Sequence, residues 1–592
     1  MNPLSKRANI TGWIVFAIAT IIYFLTVERT GSLWDCGEFV LGAYKLQIVH
    51  PPGAPFFLLI GRLFTWVADL LSNNQSDIAF AVNLMSGICT AFAAMFVCWT
   101  TIMFGRLAYD KSSIEVDENR DIAINGAGMI AGLATAFSTS IWFSAVEGEV
   151  YAMSTMFTAM TLWAATKWYY LPEDPKNDKW MIFAFYAVGL SIGVHLLSLL
   201  VFSVIAIMIY NKKWKNPTWI GMLIACGVGI ISTMLFQSII ISGIPSLWAF
   251  YEKLLVNSFG LPFHSGIVPT LLTLGAISYF GMQYAKKKGN DLLHKVVLTL
   301  TFIAISYSIV GVVIIRALAN PPINMNEPND VMRLLPYLNR EQYGDRSLIK
   351  GPHFDARPIN TKSTDRYGRV GNEYKVVDKK FDYVFKKSDE ILLPRIGHSD
   401  QGRPQLYRMW MDYLGFKKDG PPSMAFNLSF LWNYQFGWMY WRYFMWNYVG
   451  RQNFEQGTFA WNKRDGNWKS GIKSFDSAKL YNQDRLPRVI REDKSTNSYY
   501  FIPLILGLCG VFFHFRHNKK DFWTLFSMWL LAGLALCFFS NSPPNEPRER
   551  DYVLVGSFMI FCIWIGMGAM FIFELLRDKV NMKGIAPAAI SP

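Results

Sequence analysis

The sequence predicts an all-α polytopic membrane protein of about twelve spanning helices, and three observations carry that prediction. Of 592 residues, 52% are hydrophobic, 16% aromatic and only 17% charged, where a soluble domain carries about a quarter charged residues. Apolar runs near 20 residues recur along the chain, the length a helix needs to cross about 30 Å of hydrocarbon. Short connections rich in Lys and Arg alternate with connections poor in them.

The first run, Ile10 to Val27, follows Lys6 and Arg7 and has no small-residue cleavage site behind it, so it reads as a retained span. Further spans are expected near 79–105, 123–144, 150–169, 180–194, 196–211, 218–241, 267–285, 292–316, 499–515, 522–540 and 553–575. The stretch 180–211 around His195 has a rival reading as one long broken helix.

Parity tests this set. With Lys6 and Arg7 cytoplasmic, the inside connections should be basic. They hold Arg106, Lys111 and Arg120, then Lys167, Lys176 and Lys179, then Lys212, Lys213 and Lys215. Lys286 to Lys288, Arg516, Lys519 and Lys520, and finally Arg577, Lys579 and Lys583 continue the pattern. Both termini are therefore expected in the cytoplasm. The net charge of +14 is absorbed by these topology signals, and no basic stripe on a known module points to nucleic acid.

Three regions follow. Residues 1–316 form an N-terminal transmembrane domain with a first outer loop at 28–78, and 499–592 hold the last spans. The segment 317–498, about 180 residues, is too long for a loop and reads as a folded extracytoplasmic insert. Within it, 427–451 is dense in Trp and Tyr but carries Asn433, Gln435 and Arg442, a composition suited to the membrane interface, with a true span as the rival.

The outward connections gather the reactive side chains. Asp35 and Glu38 lie in WDCGEF, three apart and so on one face of a helix, where they either serve chemistry or cap the helix. A carboxylate at mid-bilayer costs about 2.5–3.5 kcal/mol, so acids beside spans have a reason to be there. HPPGAPFFLLIGRLF (50–64) supplies His50, then a turn and a re-entrant or surface helix. Glu147 and Glu149 in AVEGEVY read as half a hard-ion site or as helix caps. His195 sits in an apolar context, as a core histidine or a functional one. NEPRERDY carries Arg548, Arg550 and Asp551; the arginines suit a phosphate, and Arg316 is a second phosphate contact or a snorkelling side chain. Six of the seven cysteines lie in apolar runs, Cys36 alone outside one, and without a CxxC pair the spacing offers no thiolate metal site or disulfide framework.

WDCGEF after the first span, HPPGAP, EGEVY, GLSIGVH, RYFMWNYVGRQN and PRERDY together resemble the protein O-mannosyltransferase-like glycosyltransferases of the GT-C superfamily, a family widespread in Bacteroidota. The resemblance covers most of the chain. It implies a GT-C-like fold with amphipathic outer-loop helices. The implied activity moves a hexose, mannose as a rule, from a polyprenyl-phosphate carrier to protein Ser or Thr outside the cytoplasm. Asp35 matches the essential aspartate of the first outer loop, with Glu38 as its companion.

From this follow the expectations for an inner-membrane enzyme with a periplasmic site. Asp35 acts as base in an inverting displacement, and Glu38 orients the acceptor or the sugar hydroxyls. Arg316, Arg548, Arg550, His50 and His195 bind the donor phosphate and sugar. Glu147, Glu149 and Asp551 position acceptor or sugar. No obligatory metal or cofactor is expected, and the partners are membrane lipid, the lipid-linked sugar and secreted or envelope proteins. Longer relatives carry further spans and a C-terminal region of helical repeats, which leaves two readings here: acceptor selection differs, or a separate subunit supplies that part. Two other classes compete: a lipid-linked-sugar transporter or flippase, which would place its ionisable residues near the midplane of repeated halves, and a non-catalytic envelope-complex subunit.

Overall fold

A computed structural model describes residues 6–344, 347–400 and 402–580. Lys583 and the tail behind it lie outside the described residues. The chain divides into two compact units: Met1–Glu115 with Phe143–Gly344 and Thr364–Lys380, and Val116–Trp142 with Asp345–Ser363 and Phe381–Pro592.

Every segment expected to span is helical. Among the described residues, seven helices are long and apolar enough to cross a bilayer: Lys6–Thr26, Ser76–Lys111, Leu196–Lys213, Trp219–Phe259, Asp291–Leu318, Lys519–Ser540 and Asp551–Arg577. Glu118–Phe137 and Thr139–Val146, bent by 62°, make an eighth if they are one span. The remaining four expected spans form helices Val150–Tyr170, Lys179–Ser191, Ile267–Lys287 and Ile502–His517. Of these, Lys179–Ser191 has 13 residues and Ile502–His517 has 16, below the usual spanning length. The polytopic all-α class stands; the count of twelve is not established.

Between the expected spans 218–241 and 267–285, the connecting stretch is largely helical rather than loop. The helix beginning at Trp219 runs on to Phe259, because Gln237–Ser242 adopts a wider π turn that absorbs the irregularity and lets Gly243–Phe259 continue. The segment around His195 is broken, which both readings of 180–211 contain. Lys179–Ser191 stops, and after His195 a 3-10 turn at Leu196–Leu200 leads into the next helix.

In the first unit, helices Cys36–Lys45, Pro55–Leu71, Ser76–Lys111, Val150–Tyr170 and Lys179–Ser191 share one core that includes Phe39, Val49, Phe57, Val82, Met85, Met153 and Phe157. Hydrocarbon offers no hydrophobic drive between helices, so close approach over small residues takes its place. Gly12 leaves room for the Trp99 indole, whose Nε1–H donates to Ala8 O at 3.1 Å. Helix Pro55–Leu71 exposes Leu63, Trp66, Leu70 and Leu71 along one side, the pattern of an amphipathic helix at a membrane surface.

In the second unit, Ile502–His517 packs against the helix ending the described chain so closely that a Cβ at Gly510 would stand 1.7 Å from Trp564 O. The aromatic stretch is one continuous helical run from Met424 to Tyr448 with an 11-residue π segment, Leu431–Trp441. Tyr434, Tyr440, Tyr443, Trp446 and Tyr448 are buried within protein, whereas Trp432 and Trp441 are exposed. A two-stranded sheet pairs Lys350–Pro352 with Glu390–Leu392, and Pro358–Val370 pairs with Glu373–Phe385.

Candidate active site

The first outer loop builds the site. After helix Lys6–Thr26 the chain turns through Trp34, held at φ 63°, and enters helix Cys36–Lys45 with Asp35 at the N-cap position. Asp35 accepts no capping bond through its side chain, so helix capping does not account for it. Glu38, one turn on, accepts two hydrogen bonds from a residue twelve positions away. The His50 N–H donates to Oε1 at 2.7 Å, and His50 Nδ1 lies 2.7 Å from Oε2. Phe39 stands edge-on to the imidazole at 5.4 Å between centroids.

The loop carrying His50 is fixed from outside. Ile48 donates to Ile323 O at 2.9 Å, the Ile323 N–H donates to Gln47 Oε1 at 2.6 Å, and the Tyr337 hydroxyl donates to Val49 O. Gly53, at φ 73°, allows the turn to pass against Tyr337.

Electrostatics follow from this geometry. Burial alone would raise the Glu38 pKa, but the hydrogen bonds and charge of His50 outweigh it and hold the carboxyl below its usual range. The bond to Glu38 raises the His50 pKa against the opposing effect of burial, and the charges of Glu38 and Asp35 add to the rise while Arg340 opposes it. Ligand atoms of Asp35, Glu38 and His50 all lie within 4.8 Å of one another.

The turn at 147–149 joins the same region. Ser32 Oγ–H donates to Glu147 Oε1 at 3.1 Å, and Cys36 Sγ lies 3.8 Å from Glu147 Oε2 and 3.7 Å from Glu149 Oε1. Glu149 occupies an N-cap position without a side-chain capping bond, and it is buried. Asn83 ties the loop down by donating to Glu28 O at 2.7 Å and Thr30 O at 3.1 Å.

His195 stands at the helix break with its ring 5.3 Å from that of Tyr151. Burial, with the charges of Arg340 and His50, pushes its imidazole down to about 4. Arg316 lies elsewhere. Its Nε–H donates to Leu46 O at 2.8 Å and its NH2 to Lys45 O at 3.2 Å, so it satisfies orphan carbonyls at the far end of helix Cys36–Lys45, about 11–16 Å along the axis from Glu38 and Asp35. It also borders an apolar cavity lined by Val49, Ala54, Leu58 and Tyr337.

The remaining expected residues belong to the second unit. Arg548 Nε–H donates to the Tyr552 hydroxyl at 3.1 Å, and Arg550 pairs with Glu546 at 2.8 Å. Between them the partly buried Glu549 lies against the buried Arg442, accepting at 2.9 and 2.6 Å, and it also accepts from the Tyr443 hydroxyl at 2.6 Å and the Gly457 N–H at 2.7 Å. Asp551 is buried beside Ser140 and Arg451. The turn thus combines a pair within itself, Arg550 with Glu546, and a tie to the rest of the second unit through Glu549 and Arg442.

The first unit thus brings Asp35, Glu38, His50, Glu147, Glu149 and His195 into one neighbourhood. Sequence reasoning missed Cys36 and Arg340. Cys36 was visible as the only cysteine outside an apolar run; Arg340 looked like one more charge at the start of the insert.

Residues 35–218 match the family model described as the Protein O-mannosyl-transferase TMEM260 N-terminal domain, and residues 344–432 match a family of unknown function, DUF8416. Over 167 residues the chain is 26% identical to a Dictyostelium discoideum Protein O-mannosyl-transferase tmem260, covering 28% of this chain and 18% of that relative. Over 211 residues it is 23% identical to the Mus musculus Protein O-mannosyl-transferase TMEM260, covering 36% of this chain and 27% of that one. No solved structure matches. The matched region opens at Asp35 and encloses Glu38, His50, Glu147, Glu149 and His195. Through residues 35–218 the chain is similar to the N-terminal domain of the protein O-mannosyl-transferase relatives, and it spans less than a third of their length.

Proposed function

We propose that the chain transfers a hexose, of the mannose type, from a polyprenyl-phosphate carrier to Ser or Thr hydroxyls of secreted or envelope proteins, on the periplasmic side of the inner membrane. The observation that carries this reading is the Asp35, Glu38 and His50 group, with ligand atoms within 4.8 Å, inside the region matched to the family.

In the proposed step Asp35 takes the proton of the acceptor hydroxyl as its oxygen bonds to the anomeric carbon. The bond from that carbon to the carrier phosphate breaks, and the phosphate leaves with the electron pair. One displacement inverts the carbon, so no enzyme-bound sugar forms. A base within hydrogen-bond reach supplies about 10²–10⁴ in rate.

Glu38, held by two bonds from His50, orients acceptor or sugar hydroxyls. Positive charge near the departing phosphate stabilises the transition state. His50, with its raised pKa, carries such a charge over a wider pH range than an ordinary imidazole. Arg340, whose charge is felt by His50 and His195, is a better-placed candidate for this task than Arg316. Arg548 and Arg550 retain their proposed role as donor-phosphate contacts, which substitution tests. The transfer step itself requires no obligatory metal.

The test is glycoproteomics of envelope proteins from cells with and without the gene. The reading requires a Ser- or Thr-linked hexose that disappears with the gene and returns with the wild-type copy but not with Asp35→Asn. An unchanged glycoproteome contradicts it.

A further inference from the structure

Glu147 and Glu149 lie in one turn beside Cys36. Cys36 Sγ, Glu147 and Glu149 offer one ligand atom each, all within 4.8 Å of one another. Cys36 and Glu149 are buried. A thiol has one proton to donate, so it serves one of two carboxylates at a time, although both stand at nearly equal distance, 3.8 and 3.7 Å. A cation serves both. With a sulfur–metal bond of about 2.3 Å and an oxygen–metal bond of about 2.0 Å, a tetrahedral angle separates sulfur and oxygen by about 3.5 Å. The preformed spacing is close to that.

A second, independent feature lies at the same turn. Asn83 is fully buried, and its amide is oriented by donation to Glu28 O and Thr30 O. Among the described residues its Oδ1 has no hydrogen-bond partner. That oxygen packs against Gly148, the residue between the two acids, 2.9 Å from where a Cβ would stand. A buried acceptor without a donor costs about 1–3 kcal/mol, and here it lies against Gly148, in the turn that presents the two carboxylates.

We propose that Cys36, Glu147 and Glu149 bind a divalent transition-metal ion of the zinc type, with Asn83 Oδ1 at the edge of the site. The thiolate selects against Mg²⁺ and Ca²⁺, which take oxygen ligands, and the Cys36 proton passes to solvent as the ion enters. Three protein ligands leave a fourth position for water. The neighbouring Asp35, Glu38 and His50 group is a poorer candidate, because His50 Nδ1 is already engaged by Glu38 at 2.7 Å. The ion staples the first outer loop to the turn at 147–149, two segments about 111 residues apart in the chain, and so fixes the residue next to Asp35. It takes no part in the proton or sugar transfer, and the site stands or falls independently of the glycosyl-transfer reading.

The test uses the full chain in detergent micelles, stripped of metal and titrated with Co²⁺. One equivalent should bind and give the near-ultraviolet charge-transfer band of a thiolate-bound cobalt, and Zn²⁺ should abolish the band by displacement. Cys36→Ala should lose the band, Glu149→Gln should weaken binding at least tenfold, and His50→Gln should keep both. A wild-type protein without the band overturns the proposal, as does Cys36→Ala with unaltered binding. If Cys36→Ala fails to fold, the wild-type band and the Glu149→Gln affinity decide the matter without it.

Discussion

His50 gives Glu38 both its backbone N–H and its Nδ1 side, each at 2.7 Å. The carboxylate and the imidazole therefore hold each other in one orientation, and the remaining nitrogen of His50 is left to face other groups. Glu38→Gln preserves shape and removes the charge that raises the His50 pKa. The expected loss is about 1.5–3 kcal/mol of stability, the range of a hydrogen bond to a charged partner, with transfer reduced at least tenfold. Thermal unfolding and initial rates on the same preparation measure both. Wild-type rates in Glu38→Gln would remove this pair from the mechanism.

Buried Arg442 pairs with the partly buried Glu549 in the second unit, and Arg442 is also stacked near Trp438 and Trp446. Burial disfavours the charge of Glu549, but the charge and hydrogen bond of Arg442, with the bonds from Tyr443 and Gly457, hold its pKa below the usual range. Removing one partner strands the other, which costs about 3–5 kcal/mol. Arg442→Met is expected to lower the thermal midpoint sharply, and the double variant Arg442→Met with Glu549→Leu to recover part of the loss. Additive losses would show that the two residues are not coupled.

His264 and Arg369 give a pH dependence. Arg369 NH2 donates to His264 Nε2 at 2.9 Å, which requires that nitrogen to be unprotonated, and Arg369 also pairs with Asp330 at 3.0 Å. Burial and the Arg369 charge lower the His264 pKa, against the pull of Glu252 and Asp330. A histidine with a lowered folded pKa contributes stability that is full above its unfolded value, about 6.5, and is lost as pH falls through the folded value. Segment 364–380, which carries Arg369, should become more sensitive to protease below pH 6.5 in wild type. In His264→Gln that pH step should vanish; a step of unchanged size would assign it to another group.

Gly510 lies where a Cβ would be 1.7 Å from the Trp564 carbonyl. Because the obstacle is backbone, Gly510→Ala must push two helices apart, at a cost of about 1–3 kcal/mol or more. Gly275, with open space around its Cβ position, should accept Ala with a change within about 0.5 kcal/mol. Paired thermal unfolding of the two variants checks the contrast.

Composition and periodicity made the membrane fold legible. The run at 79–105 became Ser76–Lys111, and the one at 553–575 became the last described helix. Breaks were harder. A π turn at Gln237–Ser242 carried a helix through a stretch that read as loop, because nothing in QSIIIS signals a stop. Asp35 and Glu38, three residues apart, were legible as neighbours. The partnership of Glu38 with His50, and that of Cys36 with residues over a hundred positions away, are tertiary facts that local spacing does not encode. Arg316 illustrates the converse: an arginine at a helix end fits a phosphate contact by sequence, yet the fold commits it to the carbonyls of Lys45 and Leu46.

The account rests on Asp35 as the base, and one assay addresses that directly. Purified chain in lipid nanodiscs is given a polyprenyl-phosphate mannose and a Ser/Thr peptide, and wild type is compared with Asp35→Asn for rate and for the configuration of the product. The account predicts an inverted glycosidic bond and a rate about 10²–10⁴ lower for Asp35→Asn. Transfer at the wild-type rate by Asp35→Asn, or a product that retains configuration, would contradict it.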